Sequence, residues 1–150
     1  MLIAATITTG LVAGLLFGFA CGVMPGLRRV DDAAFVAVMQ SINRRILNGW
    51  FLVCFVGAPV LTAATLVVEL TGDSNRVGPI VAGFVLTVVS YLITAAGNVP
   101  LNNGLDSAGT TTDPSAARAR FEAPWVRWNI ARAMASTGAC GFLVCALAVS

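Results

Sequence analysis

Residues 2–24 read LIAATITTGLVAGLLFGFACGVM, and no charged side chain interrupts them. A helix needs roughly 20 apolar residues to cross about 30 Å of hydrocarbon, so this run is long enough to span a membrane. A secretory signal would carry basic residues before a shorter apolar core. Here no Lys or Arg precedes Arg28, and the run reads as a retained span. Three more follow: Trp50 to Val68, ending at Glu69; Val77 to Gly97; and a fourth from near Asn129 to the end. Whole-chain composition agrees: 57% of the 150 residues are hydrophobic, 11% are charged, and mean hydropathy is +0.86. A soluble domain carries about 25% charged residues, and disorder needs low hydrophobicity with high charge. The expected fold is therefore all-α and integral to the membrane. It is a single membrane domain over residues 1–150, a four-transmembrane-helix bundle with spans at about 2–24, 50–68, 77–97 and 129–149.

Missing residue types narrow the chemistry. There is no histidine, the commonest general base and transition-metal ligand. All nine basic residues are arginine, which excludes a Schiff-base lysine and a P-loop. Cys21, Cys54, Cys140 and Cys145 form no CxxC pair and sit in apolar stretches. They read as small apolar residues, and no metal site is expected. A net charge of +2, spread over loops that face a membrane, argues against nucleic acid as a partner.

Arginine is distributed unequally among the loops. Residues 25–49 hold Arg28, Arg29, Arg44 and Arg45, and residues 98–128 hold Arg118, Arg120 and Arg127. The loop between them, 69–76, has only Arg76. The positive-inside rule places the two rich loops in the cytoplasm and both termini outside a cell membrane. Trp50, Trp125 and Trp128 then fall at the cytoplasmic ends of spans. Gly10, Gly14, Gly18 and Gly22 recur every four residues and make one face that allows close helix packing. The neighbour is either another span or a second copy, which leaves a homo-oligomer open. Span four has a similar small-residue stripe at Ala135, Ser136, Gly138, Ala139 and Cys140.

The first arginine-rich loop contains an amphipathic helix at about 31–47. Asp31 is placed to N-cap it, with Val30 and Phe35 as a hydrophobic staple. Phe35, Met39, Ile42 and Ile46 form its apolar stripe, while Gln40, Asn43, Arg44 and Asn48 lie off it. The helix either lies in the cytoplasmic interface or folds against the bundle. Asp113-Pro114 signals a second, short helix in the other rich loop.

Polar residues concentrate on the cytoplasmic side. Span three ends in Asn98-Val99-Pro100-Leu101-Asn102-Asn103. Pro100 disfavours the helical conformation at Val99, so a helix break is expected there, with Asn98 and Asn102 either capping freed carbonyls or contacting a ligand. At the start of span four, Trp125, Asn129, Arg132 and Ser136 share one helix face. An arginine this deep faces the bundle interior or a water-filled cavity and wants a partner. The alternatives for Arg132 are snorkelling or a pair with Glu122 or Asp106. Arg127, nearer the interface, reads as snorkelling.

Together these segments resemble the anthrone oxygenase family of small four-span membrane proteins. The carrying motifs are Met24-Pro25-Gly26-Leu27, Gln40-Ser41-Ile42-Asn43, Asn98-Val99-Pro100-Leu101-Asn102 and Trp125…Trp128-Asn129…Arg132, in the family's order over nearly the whole chain. The resemblance implies oxidation of an anthrone-like aromatic or polyketide substrate by O2, without metal, flavin or nicotinamide. Arg132, Asn129, Asn98 and Asn102 suit the stabilisation of a substrate anion in a dry site. Trp125 and Trp128, with Gln40, Asn43 and Arg44, suit substrate binding. In the absence of histidine the base is Glu122, Asp106, or water acting on a substrate whose pKa Arg132 has lowered.

A catalytic protein requires a pocket bounded by the amphipathic helix, the Asn-rich segment and the start of span four. A non-catalytic scaffold, packing through the glycine face of span one, requires an internally satisfied polar cluster and no pocket of about 300 Å3 or more. A transporter requires a polar path through the midplane, usually with intramembrane acids, and the spans contain none.

Overall fold

Helices formed by the apolar runs extend beyond the runs themselves. The computed structural model describes residues 1–72, 75–110 and 113–149, and among these it is helical with no strand. Helix α1 (Leu2–Gly18) passes through a π turn, π1 (Phe19–Val23), into α2 (Met24–Leu27). After α3 (Asp32–Ile46) comes α4 (Gly49–Leu70). Helix α5 (Val77–Ile93) passes through a second π turn, π2 (Thr94–Asn98), into α6 (Val99–Ser107), and α7 (Pro114–Ala148) completes the chain. Leu2–Leu27, Gly49–Leu70, Val77–Ser107 and Pro114–Ala148 are each long and apolar enough to cross a membrane. The chain is a multi-pass membrane protein.

The break expected at Val99 is not there. The Val99 N–H donates to the Thr94 carbonyl, five residues back, and the helix continues past Pro100 to Ser107. A proline ring normally strikes the carbonyl four residues before it. A π turn placed ahead of the proline widens the helix at that point, so the chain bulges instead of breaking. Span four also differs. Its helix begins at Pro114, so the short helix expected at Asp113-Pro114 is the first turn of α7. The Asp113 carboxylate caps it by accepting from the Ala116 N–H at 2.9 Å. The 35 residues of α7, at about 1.5 Å rise each, exceed a bilayer's apolar thickness, so its first turns project on the arginine-rich side.

The two halves share one plan. Phe19–Val23 and Thr94–Asn98 begin 75 positions apart, and so do α1 and α5. At the same offset Ala20, Gly22, Pro25 and Trp50 correspond to Ala95, Gly97, Pro100 and Trp125. The bundle is thus two copies of a span–π turn–proline–span unit, with α1 packed on α4 and α7, and α5 packed on the same two helices.

Helix α3 folds against the bundle. Asp31 Oδ1 accepts from the Ala34 N–H at 2.8 Å, which starts the helix as expected. The apolar stripe packs Phe35 and Met39 into a buried cluster with Phe19, Met24, Leu105, Phe121 and Trp125. Arg118 of α7 fastens this cap. Its guanidinium donates to Glu122 Oε2 at 2.7 Å, Asp32 Oδ1 at 3.0 Å and the Val30 carbonyl at 2.9 Å. Gln40 donates to the carbonyls of Leu105 and Gly109. Gly109, at φ +55°, ends α6 in the left-handed conformation that favours glycine.

Within the spans, hydroxyl hydrogen bonds join neighbouring helices. Pro59 lies inside α4 and lacks the N–H that the Phe55 carbonyl would otherwise accept. The Tyr91 hydroxyl of α5 donates to that carbonyl. Ser90 Oγ donates to the Arg132 carbonyl at 3.2 Å and lies 2.7 Å from Ser136 Oγ, joining α5 to α7. Of the glycines spaced along α1 and π1, only Gly10 has a neighbour where a Cβ would stand, Cys140 Sγ at 3.4 Å, while Gly14, Gly18 and Gly22 meet nothing within 4 Å. That face is therefore mostly turned outward from the bundle.

Candidate functional site

Both π turns reach one cleft. Phe19 opens π1 and Thr94 opens π2, and both line a cavity of about 170 Å3. Its remaining walls come from α1 (Leu15, Leu16), α3 and the residue after it (Ile42, Asn43, Ile46, Leu47), α4 (Phe51, Leu52, Phe55), α6 (Val99, Asn102) and α7 (Trp125, Arg132). These include all the elements expected to bound a catalytic pocket. The volume, however, falls below the 300–1,000 Å3 usual for ligand sites. On one wall, Phe51 and Phe55 stack at 5.0 Å between centroids, and Tyr91, outside the cavity lining, stacks on Phe55 at 4.4 Å. On another, Trp125 stacks on Phe121 at 5.8 Å and meets Phe19 at 5.7 Å.

Arg132 is buried, yet none of the ion pairs among the described residues includes it. Neither expected acid reaches it. Glu122 is held by Arg118 and, at 3.3 Å, by Arg28. Asp106 lies 3.9 Å from Arg44. In their place the Asn129 amide oxygen accepts from Arg132 Nε and Nη2 at 3.2 and 3.1 Å, and Nη1 points to Thr94 Oγ1 at 3.4 Å. The Trp125 ring lies 5.5 Å from the guanidinium carbon. Asn129 itself is fixed by donating to the Leu16 carbonyl at 3.1 Å. All these partners are neutral, so the positive charge is oriented but not cancelled.

The amides around it present donors. Asn102 accepts from Trp125 Nε1 at 2.7 Å, which leaves its NH2 group to donate. Asn43 Nδ2 is buried without a partner. Asn98 is fully buried and donates to the Trp125 carbonyl at 3.2 Å, so it braces α7 from behind the cleft instead of capping a broken helix. Its Oδ1 has no partner. The polar cluster is thus satisfied only in part.

The other expected site residues lie elsewhere. Trp128 is half-exposed and covers Gly97, where a Cβ would come within 2.6 Å of its ring. Gln40 ties α3 to α6. Arg44 is largely exposed, and Glu122 belongs to the Arg118 clasp. Phe19, Phe51, Phe55 and Thr94, not expected from the sequence as site residues, also line the cleft. Among the described residues no carboxylate lines it, and no cluster of three Cys, Asp or Glu side chains is placed to hold a metal.

The fold and site define a four-span membrane protein with an apolar, aromatic-walled cleft whose polar groups are hydrogen-bond donors around an unneutralised arginine. The family model described as anthrone oxygenase matches residues 50–142, and the chain belongs to that family. The matched region carries Trp125, Asn98, Asn102, Asn129 and Arg132. No curated protein and no solved structure matches the chain.

Proposed function

We propose that this protein is a cofactor-independent oxygenase that oxidises an acidic aromatic, anthrone-like or polyketide-type substrate with O2 at the cytoplasmic face of the cell membrane. Both termini lie outside on this reading. The observation that carries it is the buried Arg132 guanidinium, unpaired by any carboxylate among the described residues and facing an apolar cleft beside two amide donors. Such a site favours a substrate that becomes an anion, because a neighbouring cation lowers the pKa of an acid and preset donors stabilise charge strongly where water is excluded.

An anthrone loses a methylene proton to give an aromatic, phenolate-like anion. That anion passes one electron to O2. The resulting radical and superoxide join as a C–O bond, and protonation gives a hydroperoxide. Loss of the second C–H proton with cleavage of the O–O bond then yields the ketone and water, so one O2 is consumed per quinone formed. With no carboxylate among the described residues that line the cleft, water takes the first proton and Arg132 supplies the acidity. The test is O2 uptake by purified protein given a simple anthrone in the presence of chelator. Uptake well above spontaneous autoxidation, and lost in Arg132→Ala, supports the proposal; full turnover in that variant overturns it.

A second reading, a non-catalytic scaffold or assembly partner, is favoured by the outward-facing Gly14, Gly18 and Gly22. It predicts a stable homo-oligomer that Gly14→Leu disperses, and no aromatic turnover.

A further inference from the structure

The cleft adjoins a second space. Leu15, Ile46 and Phe51 line it and also line an open groove of about 420 Å3 whose other walls are Leu11, Val12, Asn48, Trp50 and Cys54. This groove runs between α1 and α4. Leu11 is 57% exposed and Trp50 is 87% exposed, and α4 is the least buried of the four spanning helices. The groove therefore opens onto lipid. Toward the arginine-rich side, by contrast, the cleft is roofed by α3 and the buried cluster of Phe19, Phe35, Met39, Phe121 and Trp125.

We infer that the ligand of this site is an amphiphile that enters sideways from the bilayer, its acidic aromatic head at Arg132, Asn102 and Asn43 and its apolar tail in the α1–α4 groove. The inference rests on the anion-binding reading of the cleft given above. Two features carry it. Arg132, Asn102 and Asn43 line the cleft but not the groove, and the residues the two spaces share, Leu15, Ile46 and Phe51, are all apolar, which sets the direction in which a head-and-tail molecule lies. The cleft alone is also smaller than an ordinary ligand site, and the adjoining groove supplies the missing room in a place where only an apolar group is stable.

The probes are 4-nitrophenol and its 2-ethyl, 2-hexyl and 2-decyl derivatives, bound to the protein in phosphatidylcholine nanodiscs. The variant Leu11→Trp fills the groove at an exposed position. Longer tails partition into lipid equally for both proteins, so the ratio of affinities is the readout. The expected result is equal binding of 4-nitrophenol itself, and binding of the decyl compound about tenfold weaker in the variant, roughly 1.4 kcal/mol. A ratio that stays at one for every tail overturns the inference.

A diazirine at the tail end gives a readout independent of the variant's folding. Wild-type labelling at Leu11, Trp50 or Cys54 that excess 4-nitrophenol displaces supports the inference. Labelling that it does not displace assigns the groove to an ordinary lipid chain and overturns it. Failure of the wild type to bind 4-nitrophenol, or equal binding by Arg132→Gln, overturns the anion-binding reading as well. Arg132-dependent head binding without a tail effect overturns the amphiphile alone.

Discussion

The first half of the chain and the second are built alike and equipped differently. Each has a span, a π turn, a proline two residues further on, and a returning span. At the positions that hold Asn98, Asn102, Asn129 and Arg132 in the second half, the first half has Val23, Leu27, Cys54 and Gly57. Trp125 is buried against the cleft, whereas its counterpart Trp50 is exposed. The shared scaffold supplies paired π turns that converge on one space, consistent with the general occurrence of such turns at functional sites. Most of the cleft's polar side chains, Thr94, Asn102 and Arg132, come from the second copy, and the first contributes apolar walls and Asn43.

That asymmetry can be broken at its strongest point. Arg132→Ala removes the cation, and turnover is expected to fall by about 10² to 10³, the usual effect of deleting a preset charge-stabilising donor. The mirror change Gly57→Ala places a Cβ at 3.5 Å from Thr8 Cγ2, an ordinary contact, and should leave kcat unchanged. Steady-state O2 uptake distinguishes the two.

The next test concerns what joins the halves. Arg118 reaches from α7 to Asp32 and the Val30 carbonyl in the first half, and its side chain is 14% exposed. Arg118→Ala should cost about 2–3 kcal/mol, the scale of hydrogen bonds to charged groups. Denaturation in mild detergent reads this loss. Equal stability of variant and wild type would mean that the apolar stripe and the Gln40 hydrogen bonds hold α3 without Arg118.

The paired glycines offer a finer contrast. Gly97→Ala drives a Cβ to within 2.6 Å of Trp128, while Gly22→Ala meets nothing within 4 Å. The first should destabilise by about 1–2 kcal/mol through overpacking. The second should be neutral or slightly stabilising, because alanine is the better helix former. Thermal unfolding of the two variants side by side checks the sign. The smallest loss is expected for Tyr91→Phe, which leaves the Phe55 carbonyl without the hydroxyl that replaces the missing Pro59 N–H. A loss of about 1 kcal/mol follows, and rapid amide exchange along α4 would report it.

Much of this architecture is legible in the residues. Uncharged runs mark the spans, and Asp31 and Asp113 mark two helix starts with the caps found in the structure. Spacing also places Trp125 and Arg132 on one face, and both line the cleft. Pro100 misleads because a proline signals a disturbed ladder without saying whether the helix ends or bulges. The partner of Arg132 misleads for a different reason. Charge arithmetic points to Glu122 or Asp106, but the tertiary fold commits Glu122 to the Arg118 clasp, and neutral amides take the place beside Arg132. The aromatic wall of Phe51 and Phe55 was hidden in the uniform apolarity of α4. The 75-residue correspondence of Ala20, Gly22 and Pro25 with Ala95, Gly97 and Pro100 is itself written in the sequence, and it marks both turns that reach the cleft.

The most direct test of the central claim is the ionisation of a bound phenol. Wild-type protein in nanodiscs is titrated with 4-nitrophenol across pH while the absorbance of the phenolate is followed. A cation that is oriented but not neutralised should lower the bound ligand's pKa by at least about one unit, equivalent to roughly 1.4 kcal/mol, and Arg132→Gln should return it to the free value. Binding with an unshifted or raised pKa in the wild type would contradict the account, since Arg132 would then exert no net field on the cleft.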